Sequence, residues 1–62
     1  MDDLTQDAIN KAYQNNVMKL FDGLFAAYVT AFDDLDKTNA LTKFSHGVAI
    51  VREAKEAAER SV

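Results

Sequence analysis

The chain has no cysteine, no proline and only two glycines in 62 residues. Without cysteine, neither a disulfide framework nor a thiolate metal site is available. Without proline, and with glycine confined to positions 23 and 47, most of the sequence carries no strong helix breaker. Basic residues are few: seven Lys and Arg stand against ten Asp and Glu, for a net charge of −3. A phosphate-binding surface needs a basic stripe, and none runs through the sequence. No long apolar run is present either. The most hydrophobic stretch is interrupted by Lys19 and Asp22 and falls short of the roughly 20 residues of a membrane span. Met1 is followed by Asp2 and Asp3 where a secretory signal would carry basic residues. These absences make a soluble, cytoplasmic protein with no membrane association the expectation.

What is present is a helix-rich composition of Ala, Leu, Lys, Glu and Asp. It is organised around Val17 to Phe32, VMKLFDGLFAAYVTAF, which holds three of the four phenylalanines. At about 100° per residue, Val17, Leu20, Leu24, Ala27, Ala31 and Leu35 share one face of a helix. Tyr28, Phe21, Phe32, Phe25, Met18 and Val29 continue round one side only. The apolar arc spans on the order of 200°, twice the stripe of an ordinary surface helix. One neighbouring helix covers about half of it.

Upstream, Asp3 and Gln6 have the spacing of a capping box at a helix start. Asn15-Asn16 is a weak point in helix propensity. Because Ile9, Tyr13, Val17, Leu20 and Leu24 hold their phase across the pair, a continuous helix is expected. Gly23, Ala27 and Ala31 form a strip of small residues where another backbone can approach. Residues 33–39, DDLDKTN, are rich in cap and turn formers, with Asp36, Thr38 and Asn39 as alternative caps for a second helix. A single unbroken helix is the competing possibility. In the second helix, Leu41, Phe44, Val48, Val51 and Ala58 form a stripe edged by Ala40, Gly47 and Ala54. The tail REAKEAAER carries opposite charges at i,i+4 and reads as a solvated face.

The sequence therefore predicts one all-α domain over residues 1–62, an antiparallel helical hairpin. Its first helix covers about 4–34, the turn about 35–39 and the second helix about 40–60. Turning near Lys37 would pair Leu24 with Val51, Ala27 with Val48, Ala31 with Phe44 and Gly23 with Arg52, leaving the first dozen residues overhanging. Residues 1–36 carry a charge of −5 and residues 37–62 a charge of +2, which suits packing of one half on the other. Two such helices bury little apolar area for a chain without staples. Met18, Phe21, Phe25, Val29 and Phe32 are accordingly expected to form a self-association or partner interface, with two hairpins dimerising into a four-helix bundle. The competing cover for them is a short separate N-terminal helix.

No constellation carries chemistry with specificity. His46 is the only histidine; the wheel turns it to solvent, and neither Ser45 nor Glu53 reaches it. Asp34 to Ser45, DLDKTNALTKFS, has the start of a calcium-binding EF-hand loop. Asn39 stands in place of its glycine, however, and Ser45 in place of its bidentate glutamate. Tyr13, Tyr28 and Phe44 at helical spacing read as core rather than as base-stacking platforms. The expectation is a homo-oligomeric interaction or regulatory module, not an enzyme, with no cofactor or metal. Its partner is itself or the helix of another protein. The competing reading is a small nucleic-acid-binding regulator using Lys37, Lys43, Arg52 and Lys55.

Overall fold

The computed structural model describes residues 2–62 and contains two helices, α1 (Asp3–Thr30) and α2 (Asp34–Ser61), of 28 residues each. They pack side by side as an antiparallel hairpin whose Cα trace measures 47 × 15 × 8 Å. The smallest extent is that of a single helix, so both broad faces of the hairpin are open.

Asp2, not Asp3, caps α1: its Oδ1 accepts the Thr5 amide at 2.7 Å, and its carbonyl accepts the Gln6 amide at 3.1 Å. The Gln6 side chain turns away from the cap, so no capping box forms. Helix α1 runs unbroken through Asn15-Asn16. There Asn16 Nδ2 donates to the Ala12 carbonyl at 2.8 Å, a bond back along the helix that satisfies the amide without breaking the backbone ladder.

The turn lies at Ala31–Asp33, earlier than the 35–39 expected from composition. The cap is Asp33, whose extended backbone lets its Oδ1 accept the Asp36 amide at 3.0 Å. Asp36 in turn accepts the Phe32 amide at 3.0 Å, clamping the three-residue connection from both sides. With Asp34 and Asp36 in the first turn of α2, negative charge sits where the helix dipole favours it. The apolar phase continuing through Phe32 and Leu35 hides this boundary, because a helical periodicity is blind to a short break followed by another helix.

The earlier turn changes the register. Contacts such as Gln6–Glu59, Tyr28–Lys37, Leu20–Gly47 and Tyr13–Lys55 have residue numbers summing to 65–68, not the 75 of a turn at Lys37. Leu24 and Ala27 therefore line one groove with Ala40 and Phe44, and Tyr13 lines another with Val51. The N-terminal overhang disappears because the helices are equal in length. The inward positions of α1, Tyr13, Val17, Leu20, Leu24 and Ala27, step by four and three residues, with Ala31 following at the C-cap. So do Ala40, Phe44, Gly47 and Val51 of α2. That is the narrow seam of a coiled-coil pair. Within it only Ala40 is buried, at 9% exposure.

Among the described residues no ion pair joins the two helices. With the turn at 31–33, α1 carries three Asp against two Lys and α2 five acids against five bases. The acidic excess expected of the first half is largely the Asp33, Asp34 and Asp36 cluster at the turn. Both ion pairs among the described residues, Lys11–Asp7 and Lys55–Glu59, lie within one helix.

Candidate functional site

The most distinctive feature of the hairpin is an exposed apolar face on its turn-proximal half. Met18, Phe21, Phe25, Val29 and Phe32 all lie on it, with exposures running from 56% at Phe21 to 97% at Phe32. For the four on α1 exposure follows from the wheel: Val17, Leu20, Leu24 and Ala27 turn toward α2, and residues one or two positions on point about 100–160° away, while Phe32 lies in the connection after α1. Helix α2 contributes Leu41, which lines a shallow groove with Phe21, Leu24, Phe25 and Tyr28. Among the described residues, eight of the eleven exposed large apolar side chains fall between Met18 and Leu41, the others being Leu4, Ile50 and Val62. Apolar exposure is thus concentrated rather than scattered.

The opposite face carries a groove lined by Lys19, Leu20, Gly23, Leu24, Ala27, Ala40, Lys43 and Phe44. Gly23 opens onto it: a methyl group added there would meet nothing within 4 Å. No close backbone approach within the chain uses Gly23. The close approach occurs at Gly47, where an added Cβ would lie 2.7 Å from Leu20 Cδ2. The small-residue signal in α1 marks an open groove, and the glycine that packing requires is the one in α2.

The end of the hairpin away from the turn is polar. Gln6 Nε2 donates to Asn10 Oδ1 at 3.0 Å and to Glu59 Oε2 at 2.7 Å, while Lys55 Nζ donates to the same Glu59 oxygen at 3.3 Å. The Gln6 amide and, less strongly, the Lys55 ammonium hold the Glu59 carboxyl below its ordinary value of 4.5. The bond from the Thr5 amide lowers Asp2 in the same way.

The basic residues of the nucleic-acid reading do not converge. Lys37 sits over the Tyr28 ring at 5.8 Å and Lys55 over Tyr13 at 5.7 Å, both within cation–π range. Lys43 lines the groove on the other face, and Arg52 stands apart on α2. His46 and Ser45 are exposed on α2. Asp34 to Ser45 is helical throughout, so the turn of a calcium loop is not formed there. Among the described residues no group of three potential metal ligands comes together, and no helix is long and apolar enough to cross a membrane. No protein family matches the chain, and neither a curated protein nor a solved structure shows significant similarity to it.

Proposed function

We propose that this chain is a self-associating interaction module, a helical hairpin whose turn-proximal aromatic face is covered by a second copy. The role is one of binding, and no catalytic step is assigned to it. The observation that carries the reading is surface area. A folded monomer of 6.9 kDa is expected to expose roughly 4,000 Å², whereas this hairpin exposes 4830 Å². The excess, about 800 Å², is what one partner contributes to a stable protein–protein interface.

Shape gives the same account. The radius of gyration is 14.5 Å, against about 11 Å for a compact chain of this length. A slab one helix thick offers its side chains a single seam, and the aromatic face is outside it. Two slabs stacked through that face form a four-helix bundle with a shared core.

Sedimentation equilibrium over a range of concentrations tests the reading. The expected result is a mass twice that of the chain, falling to the monomer mass in Phe25→Lys. A folded wild-type chain that stays monomeric at millimolar concentration overturns it.

A further inference from the structure

On α1 the exposed apolar residues Phe21, Phe25 and Val29 are spaced four and four residues apart, flanked three residues away by Met18 on the same helix and by Phe32 in the connection that follows it. That spacing reads the same in either direction about Phe25. A two-fold interface requires this property of a helix that packs on its own copy, because position i meets j and j meets i. Resting on the self-association reading above, we infer that α1 packs antiparallel on α1 of a second copy, with the two-fold axis passing beside Phe25.

In this register Phe25 meets Phe25 and Phe21 meets Val29 of the second copy. None of the five is ionisable, and every one of them is more than half exposed in the single hairpin, so nothing charged is buried at the centre. Leu41 of α2 lines the groove beside Phe21 and Phe25, which brings it to the axis and makes the second helix pair of the bundle. The apolar halves overlap, the turns point in opposite directions, and the polar ends with Gln6, Asn10 and Glu59 stay in water. An arrangement with both turns at the same end would instead set polar end on polar end and the Asp33, Asp34 and Asp36 cluster on its copy.

A charge swap tests the register. Phe21→Lys or Val29→Glu alone buries an unpaired charge and is expected to weaken self-association at least ~100-fold. The double variant carries two inter-copy ion pairs and recovers most of that loss. Within one chain these positions are about 12 Å apart along the helix, so no internal pair can mimic the rescue. A second measurement does not touch the interface. Spin labels on Ser61→Cys are expected about 60 Å apart, set by the helical rise from the axis to the far end; with the turns at the same end they would be roughly 10–25 Å apart, the span of neighbouring and diagonal helices. Rescue together with the long distance supports the register. A dimer with no rescue, or with the short distance, overturns the register and leaves self-association standing. A monomeric wild type overturns both.

Discussion

Two glycines, each inside a helix, have opposite structural roles. Gly23 faces open space, so Gly23→Ala should gain the helix-propensity difference of about 1 kcal/mol. Gly47→Ala gains the same propensity but pushes on the Leu20 methyls, and should fall short of Gly23→Ala by a measurable margin. Urea titration of both variants checks the order; a larger gain at position 47 would show that Leu20 moves freely. At the polar end, the carboxyls of Asp2 and Glu59 are both held below their ordinary values by hydrogen bonds. Each binds protons more readily in the unfolded chain, so its contribution is present above 3.8 and 4.5 respectively. It is lost as pH falls through the lowered folded value. Amide exchange at Thr5, followed by NMR, should therefore accelerate as pH drops below 3.8, beyond the intrinsic trend, and Asp2→Asn should remove that pH dependence.

Between the helices, the seam is narrow and its strength lies in a few large side chains. Leu20→Ala should cost about 2 kcal/mol, at the low end for a core leucine because the site is only half-buried. Phe25→Ala should leave the isolated hairpin nearly unchanged, since that ring is 63% exposed, while weakening self-association. Helicity and mass measured on the same samples separate the two effects. The turn depends on one cap: Asp33→Ala should cost about 1 kcal/mol. Its loss should also let the two helices compete to fuse into one, seen as a rise in hydrodynamic radius. The inward face of α1 was legible from periodicity, and continuity through Asn15-Asn16 followed from the unbroken phase; in α2 the expected stripe is rotated toward its small-residue edge, with Ala40 buried, Gly47 on Leu20 and Leu41 exposed. The cap was not legible: composition pointed to Asp36, Thr38 and Asn39, whereas the cap is Asp33, whose side-chain oxygen is chemically equivalent and lies a few residues earlier. Choosing among them requires the register that places Leu20 on Gly47 and Gln6 on Glu59.

For the whole molecule, an interface of aromatic and aliphatic side chains implies an association that salt barely alters. The dimerisation constant should change little between low salt and about 1 M, where charges are screened beyond about 3 Å. Nucleic-acid binding by the dispersed Lys37, Lys43, Arg52 and Lys55 would instead weaken steeply with salt; retention on immobilised nucleic acid checks this, and the expected result is none.

Residue types and their period fixed two amphipathic helices and the apolar arc too wide for one neighbour, since those depend only on the 100° step between successive side chains. Where the chain reverses, which glycine is packed against a leucine, and how little charge separates the helices were decided by the tertiary structure. Each depends on pairing residues distant in sequence. A shift of the turn by about four residues moves every one of those pairs, while leaving each helix's own pattern untouched.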